Sequence, residues 1–209
     1  MAVLDREAGL VVTAAPGTGS TALLAALLDQ RPVQQVPDPA RAREAGVDPK
    51  HGTVRQLVAA GLLDDDPRLQ VVTTTRNPFD FYVAEYERSR TRWVQELRKP
   101  DSFVLTTPGV LDQVVDAVTL DFDAWLAKAI DDPDRPRRIN AGHVGEAHVV
   151  LRMEAMEADL REHVGLEVAV PATNVTERDR AYWRRYSIAG RRLVERAHAE
   201  DLARFDYRF

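Results

Sequence analysis

A short loop rich in glycine and hydroxyl side chains is the part of this sequence best suited to chemistry. It covers residues 16–21, reads PGTGST, follows an apolar run typical of a buried strand, and precedes leucines at helical spacing. Glycines let the backbone approach a ligand closely, and the first N–H groups of a helix have no intrahelical partner. This order of strand, loop and helix predicts a cradle for a phosphate-like anion. Its candidate binding residues are Gly17, Thr18, Gly19, Ser20 and Thr21.

Two other interpretations of this loop stay open. An ordinary strand-to-helix turn also uses glycine for its geometry and serine or threonine as a helix cap. A nucleotide-triphosphate loop of the form PGTGKT has a lysine at the position where this chain has Ser20. We favour the anion cradle, because the strand, the glycines and the helix all point to it.

A second candidate group follows a later β-rich run, LQVVTTT at 69–75. Arg76 comes directly after that run, and Pro78 suits the first turn of a helix. A guanidinium at this point can bind a second phosphate through two parallel hydrogen bonds. The alternative is a surface arginine paired with Asp80.

Composition limits the class of protein. Of the 209 residues 44% are hydrophobic and 29% charged, which argues against a disordered chain, and the net charge of −5 argues against a general nucleic-acid binder. The absence of cysteine excludes a disulfide, a thiolate zinc site and a cysteine nucleophile. We expect no membrane association and a cytoplasmic location, since no apolar run approaches ~18 residues and no leader segment is visible. The scarcity of lysine among 28 basic residues is typical of a GC-rich bacterium.

Short apolar runs alternate with longer helical patterns along the chain. Strands are predicted at 9–14, 33–36, 69–75 and 147–152, helices at 20–30, 53–61, 77 onward, 111–130, 153–164 and 179–204, and loops at 37–50 and 131–146, the last one mobile. This alternation predicts an α/β fold in one domain spanning 1–209, with a central parallel sheet flanked by helices on both faces. Ligands of such sheets bind at the carboxyl ends of the strands, where both candidate groups lie. In the helix at 111–130, Val115 and Val118 are predicted to point inward with the aromatic residues that follow.

Taken together, these segments resemble sulfotransferases that use 3′-phosphoadenosine 5′-phosphosulfate (PAPS), closest to the carbohydrate-acting type. PGTGSTA at 16–22 resembles the family's PKTGSTS loop, and RNPFDFYVAEY at 76–86 resembles its RNPxxRxxSxY signature. Other stretches agree in the right order, namely KHGTVRQL, RMEAMEAD and the C-terminal AEDLARFDYRF. The resemblance implies a three-layer, P-loop-like fold, PAPS as sulfuryl donor, 3′-phosphoadenosine 5′-phosphate as product, and no metal.

The chain departs from the family pattern at three positions. Gly17 stands where the family has the lysine that contacts the transferring sulfate. Ala84 stands where the family has the serine that holds the 3′-phosphate together with the signature's first arginine, and Phe81 replaces the second arginine. Lys50 and Arg55 are candidate replacement cations, and either can equally be a solvated side chain.

The mechanism that the resemblance implies is in-line transfer of a sulfuryl group to a hydroxyl of a small molecule or sugar. His51 is the candidate base, because a neutral imidazole can accept a proton near pH 7. The alternative for His51 is a surface histidine that caps a helix. The remaining histidines have no metal-ligand spacing and are predicted to be structural or exposed: His143, His148, His163 and His198.

Three functions follow from these patterns. The leading hypothesis is a bacterial PAPS-dependent sulfotransferase, for which a homodimer is possible. The second is a degenerate member that binds or scaffolds without catalysis, in keeping with the three altered positions. The third is a nucleotide-triphosphate enzyme such as a small kinase, which the missing loop lysine disfavours.

Overall fold

The computed structural model describes residues 1–131, 141–172 and 179–209. The chain divides into two compact units, Met1–Arg76 with Ile139–Asn174 and Asn77–Arg138 with Val175–Phe209. The single domain expected from the sequence stays a prediction. None of the helices in the described residues is long and apolar enough to cross a membrane.

The first unit contains a five-stranded mixed sheet. Its strands are β1 (Ala2–Asp5), β2 (Leu10–Thr13), β3 (Gln34–Val36), β4 (Gln70–Thr75) and β5 (Val149–Arg152). They stand in the order β3-β1-β2-β4-β5, and β2, β4 and β5 are parallel to one another, as predicted. β1 runs antiparallel to both β3 and β2, so the prediction of a wholly parallel sheet is wrong at this strand. Four residues are too few to show a strand period in the sequence.

Helices cover most of the remaining described residues. In chain order they are α1 (Ser20–Gln30), α2 (Pro39–Glu44), α3 (Val54–Ala59), α4 (Pro78–Arg88), α5 (Val94–Glu96), α6 (Phe103–Thr106), α7 (Val110–Thr119), α8 (Phe122–Asp131), α9 (Ala141–Glu146), α10 (Met156–Asp159), α11 (Ile188–Ala197) and α12 (Ala199–Arg204). Single π-helical turns occur at Ser89–Trp93 and Leu160–Val164, and 3₁₀ turns at Met153–Ala155 and Tyr182–Arg185.

Apolar side chains on both faces of the sheet pack with helices of the first unit. Successive strand residues point to opposite faces, so Val12 and Val72 join one cluster while Val11 and Val71 join the other. The first cluster includes Leu23, Leu24 and Leu27 of α1, and the second includes Leu57 of α3. The core of the first unit therefore fixes β2, β4 and α1, the elements on either side of the glycine loop.

The second unit has a separate core that is rich in aromatic rings. Phe79 and Tyr86 of α4 are almost fully buried and pack in one cluster with Trp125 of α8. Asn77 caps α4 by accepting a hydrogen bond from the Phe79 N–H at 3.0 Å. Its side-chain amide also donates to the Arg208 carbonyl at 2.9 Å, which brings the start of α4 into contact with the C-terminal segment.

Three predicted segments differ in the structure. The predicted loop at 37–50 contains α2, because Asp38 caps it and Pro39 suits its first turn. The predicted mobile loop at 131–146 contains α9, while residues 132–140 lie outside the described residues. The predicted C-terminal helix at 179–204 is a 3₁₀ turn followed by α11 and α12.

The predicted helix at 111–130 is also wrong, since two helices, α7 and α8, occupy this range. Asp121 accepts a hydrogen bond from the Ala124 N–H at 2.8 Å and so starts a new helix. The break changes the phase of the helical repeat. As a result Val115 and Val118, predicted to point inward, are 49% and 51% exposed, whereas Val114 is buried.

Candidate functional site

The glycine loop joins the end of β2 to the start of α1. Gly17 and Gly19 have φ values of 75° and 76°, in the left-handed region that favours glycine. Gly19 is the residue before the first turn of α1 and has no side chain to cap it. Residues 16–19 form a turn, and within the described residues none of the backbone N–H groups of 17–21 makes a hydrogen bond of normal length and angle. Within that part of the chain, the loop therefore presents backbone donors at the positive end of a helix dipole, an arrangement suited to an anion.

Two hydroxyl side chains of the loop, those of Thr18 and Ser20, bond to atoms that lie just outside the loop. Thr18 Oγ1 donates to the Ala15 carbonyl at 2.8 Å, and Ser20 Oγ donates to the same carbonyl at 2.7 Å. Thr18 also makes a short hydrogen bond with the hydroxyl of Thr74, at the end of β4. Both Thr18 and Ser20 are buried. Their side chains thus hold the loop in shape, and their backbone N–H groups are the parts suited to a ligand.

Gly19 is required by space as well as by backbone conformation. A Cβ atom at this position would lie 2.9 Å from Cγ of Met153 and 3.3 Å from Cε of Met156. Both methionines belong to the segment that follows β5. This segment is held by Asp159, which accepts hydrogen bonds from the Arg152 N–H at 2.7 Å and from its guanidinium at 2.7 and 3.0 Å.

Arg76 lies against the loop from the neighbouring strand. Its Nη1 donates to the Gly17 carbonyl at 3.0 Å, and only 7% of the residue is exposed. It is therefore a buried arginine, not the surface arginine of the alternative interpretation. The two candidate groups predicted from the sequence are in direct contact in the structure.

His51 lies at the junction of β2 and the loop. Its Nδ1–H donates to the Ala14 carbonyl at 2.7 Å, and its Nε2 has no partner among the described residues. Burial lowers the pKa of His51, and Lys50 lowers it further, which outweighs the Ala14 hydrogen bond. The ring is thus neutral at pH 7, with Nε2 able to accept a proton. Helix α3 is capped by Thr53, so His51 is not a capping residue.

His143 on α9 is a member of this cluster that the sequence did not single out. Its Nε2–H donates to the His51 carbonyl at 3.1 Å, and its Nδ1 lies 3.2 Å from the hydroxyl of Thr13. Thr13 is in turn hydrogen-bonded to Thr73 at 3.0 Å. Burial lowers the pKa of His143 as well. No local pattern could reveal this role, since the two histidines are 92 positions apart in the sequence.

The two candidate replacement cations make no hydrogen bond or ion pair with the loop within the described part of the chain. Lys50 is an exposed residue. The Arg55 side chain is 82% exposed, and its Nε is 3.7 Å from Glu146. The same carboxylate accepts hydrogen bonds from Thr53 Oγ1 and from the Arg55 N–H, both at 2.9 Å.

The two altered signature positions lie on α4 of the second unit. Ala84 is completely buried, and Phe81 makes an edge-to-face contact with Tyr82 at a centroid distance of 5.7 Å. Both side chains contribute apolar surface, and neither has a polar group with which to bind an anion.

No protein-family model matches the chain, and neither does the sequence of any curated protein.

Proposed function

We propose that this chain is a PAPS-dependent sulfotransferase with a three-layer, P-loop-like fold, acting on a hydroxyl of a small molecule or sugar. The observation that supports it most is the loop at 16–21, where backbone N–H groups that make no well-aligned hydrogen bond within the described residues stand at the start of α1 and a buried arginine lies against Gly17. The segments that resemble the family's motifs occur in this chain in the family's order, which supports the same assignment.

The chemical character of the loop suits a nucleotide phosphosulfate. Backbone N–H groups and one guanidinium bind an anion without any carboxylate in the loop to repel it. PAPS supplies the activated sulfuryl group when it is bound. The N–H groups of residues 17–21 would hold its anionic end, and Arg76 would neutralise the charge that develops on the leaving phosphate.

His51 has the proton-accepting role in this proposal. Because its Nδ1–H is used on the Ala14 carbonyl, the lone pair of the neutral ring lies on Nε2. That nitrogen would take the proton of the acceptor hydroxyl while the acceptor oxygen bonds to sulfur. The sulfuryl group thereby leaves the phosphate oxygen, and 3′-phosphoadenosine 5′-phosphate is released.

One observation favours the second hypothesis, a degenerate member that binds a nucleotide or partner without catalysis. Ala84 is completely buried, Phe81 packs against the core of the second unit, and neither side chain offers a donor. A nucleotide-triphosphate enzyme has weaker support, since Ser20 stands at the position of its lysine and the hydroxyl of Ser20 is bonded to Ala15. A cytoplasmic location and a homodimer stay predictions.

Calorimetry separates these functions. We expect micromolar binding of 3′-phosphoadenosine 5′-phosphate in EDTA and no binding of ATP with or without Mg²⁺. Binding of Mg-ATP alone would support the nucleotide-triphosphate enzyme, and binding of neither nucleotide would contradict both. If the product nucleotide binds but PAPS is not consumed with any hydroxyl acceptor tried, the degenerate member is favoured.

A further inference from the structure

We propose that His143 is a positioning residue, which holds His51 in the orientation and the tautomer that leave Nε2 able to accept a proton. This inference rests on the proposed function and deepens it, since it adds a residue that acts through the candidate base. His143 contributes through hydrogen bonds to the backbone of His51 and to β2, and it takes no part in the proton transfer itself.

Three of the four polar groups of His51 make hydrogen bonds to neighbouring residues. Its N–H donates to Oδ1 of Asp48 at 3.1 Å, and its carbonyl accepts from Nε2 of His143 at 3.1 Å. Its Nδ1–H donates to the Ala14 carbonyl at 2.7 Å. Within the described residues, Nε2 is the one polar atom of His51 that makes no hydrogen bond. These contacts therefore select the nitrogen that presents its lone pair.

The hydrogen bonds of His143 attach His51 to the same strand end that the His51 ring contacts. While Nε2–H of His143 donates to the His51 carbonyl, its Nδ1 lies 3.2 Å from the hydroxyl of Thr13. Thr13 is the last residue of β2, and Ala14 follows it. Thr13 and Ala14 are 1% and 0% exposed. The backbone and the ring of His51 are thus both tied to one short stretch of buried chain, which restricts the side-chain torsions between them.

Helix α9, which carries His143, is itself held against the segment that follows His51. The carboxylate of Glu146, on the same helix, accepts hydrogen bonds from Thr53 Oγ1 and from the Arg55 N–H, both at 2.9 Å. Two side chains of α9 thus make three hydrogen bonds to residues 51–55. Because its helix is fixed in this way, the His143 ring is in place before a ligand binds, as a supporting residue must be.

The tautomers of both rings follow from their partners. Burial lowers the pKa of His51 and of His143, so each ring is neutral at pH 7 and has a single N–H. A carbonyl oxygen can only accept, which places that N–H on Nδ1 of His51 and on Nε2 of His143. Without the His143 donor, the His51 backbone is held less firmly and its ring loses its fixed distance to Ala14. The Nε2–H tautomer, which cannot accept a proton at Nε2, then becomes populated.

Long-range ¹H–¹⁵N NMR spectra of the histidine rings test this proposal independently of any reaction. At pH 7 we expect His51 of the unmodified chain to be in the Nδ1–H tautomer, and His51 of His143→Leu to be a mixture of both tautomers. His143→Gln, whose amide can still donate to the His51 carbonyl, should retain the Nδ1–H tautomer. If His143→Leu does not fold, His143→Asn replaces it, since its shorter side chain ends before the position of Nε2. An unchanged His51 tautomer in the variant without the donor would overturn the proposal.

Transfer kinetics with PAPS give a second readout in the same variants. We expect His143→Leu to lower kcat about tenfold or more and to change the Kd of 3′-phosphoadenosine 5′-phosphate by less than about twofold, because it misplaces the base and leaves the loop intact. His143→Gln should recover most of the rate. A loss of rate that His143→Gln does not recover would overturn the positioning role.

His148→Leu is the matched control. The His148 ring also binds a strand backbone, where Nδ1 accepts from the Val71 N–H at 2.9 Å, and within the described residues it makes no hydrogen bond to His51. This variant should keep both the His51 tautomer and kcat, and an equal fall of kcat in His148→Leu and His143→Leu would contradict the proposal. If the unmodified chain transfers no sulfuryl group, or if His51→Ala keeps the full rate, the proposed function or its base fails, and the tautomer of His51 still decides the role of His143.

Discussion

At the scale of single residues, the two histidines beside the loop link protonation to folding. Burial lowers the pKa of His51 and of His143 below the ordinary value of 6.5. The unfolded chain therefore binds protons on these rings at a higher pH than the folded chain does. It follows that their contribution to stability is complete above about pH 6.5 and decreases as the pH falls below that value.

We predict that the free energy of unfolding of the unmodified chain decreases from pH 7 to pH 5 more steeply than that of His51→Gln or His143→Gln. The measurement is urea unfolding followed by circular dichroism across this range. His163→Gln, at an exposed position, is the matched control and should retain the slope of the unmodified chain. Identical slopes in all four proteins would show that the two buried rings do not titrate differently on folding.

A second residue-scale prediction concerns Asp159, which is 1% exposed and holds Arg152 at the end of β5. Its burial alone would raise its pKa, but the hydrogen bonds from Arg152 outweigh burial and lower the pKa. Asp159→Asn should cost about 2 kcal/mol of stability at pH 7, since hydrogen bonds to a charged group are lost in the interior. Glu195→Gln, in the exposed i,i+4 pair with Arg191, should change the unfolding midpoint little by comparison.

Residue types in the sequence single out the loop, Arg76 and His51, which the structure brings together, but they do not show how the side chains are used. Glycine and arginine have distinctive chemistry, so their presence after two strands is informative. The inward turn of the Thr18 and Ser20 hydroxyls depends on the Ala15 carbonyl and on Thr74, and the latter contact spans 56 residues. The role of His143 is equally non-local, and a single sequence contains no signal for it.

At the scale of elements, the loop and α1 show how backbone conformation limits the sequence. Gly19 and Gly109 both precede a helix with φ of 76°, but only Gly19 has neighbours where a Cβ would be. Gly109→Ala therefore adds backbone strain alone, whereas Gly19→Ala adds crowding against Met153.

We predict that Gly109→Ala costs about 1 kcal/mol of stability and that Gly19→Ala costs at least about 1 kcal/mol more. Thermal unfolding followed by circular dichroism measures both variants. Only Gly19→Ala should also weaken binding of 3′-phosphoadenosine 5′-phosphate. Equal costs and equal affinities in the two variants would contradict the close packing of Met153 on the loop.

Helix α7 gives a matched pair of adjacent positions. Val114 is 2% exposed and Val115 is 49% exposed. Val114→Ala should cost about 2 kcal/mol, since it removes buried methyl groups and leaves a cavity, and Val115→Ala should stay within about 0.5 kcal/mol of the unmodified chain. Urea unfolding monitored by tryptophan fluorescence measures both variants. Trp125 lies on α8, the helix that follows α7, and packs in the core of the second unit.

Hydrophobic periodicity predicts a helix well where a single apolar face continues along the whole segment. The predicted bounds 20–30 of α1 are confirmed, and Leu23, Leu24 and Leu27 are buried as predicted. Leu28, predicted on the same face, is 37% exposed. The prediction for 111–130 is wrong, because α7 and α8 each have their own apolar phase and the break at Asp121 depends on one side-chain hydrogen bond. A single apolar repeat fitted across such a break places Val115 and Val118 on the buried face, although both are exposed.

At the scale of the whole molecule, the mixed α/β class followed from the alternation of strands and helices. The parallel arrangement of β2, β4 and β5 puts the loop and Arg76 at the same sheet edge, as expected for the carboxyl ends of neighbouring strands. The alternation of strands and helices does not predict the antiparallel β1, because the pairing of a four-residue strand is decided by its tertiary neighbours.

The central claim is that the backbone N–H groups of residues 17–21 bind the anionic end of a phosphoadenosine nucleotide. Amide NMR spectra recorded while 3′-phosphoadenosine 5′-phosphate is titrated into the chain test this claim at the atoms concerned. We predict that the amide signals of Gly17, Thr18, Gly19, Ser20 and Thr21 shift together and saturate at micromolar affinity, while those of Gly46 and Gly109 stay in place. Unchanged signals for residues 17–21 at saturating nucleotide, with or without shifts elsewhere, would contradict the claim.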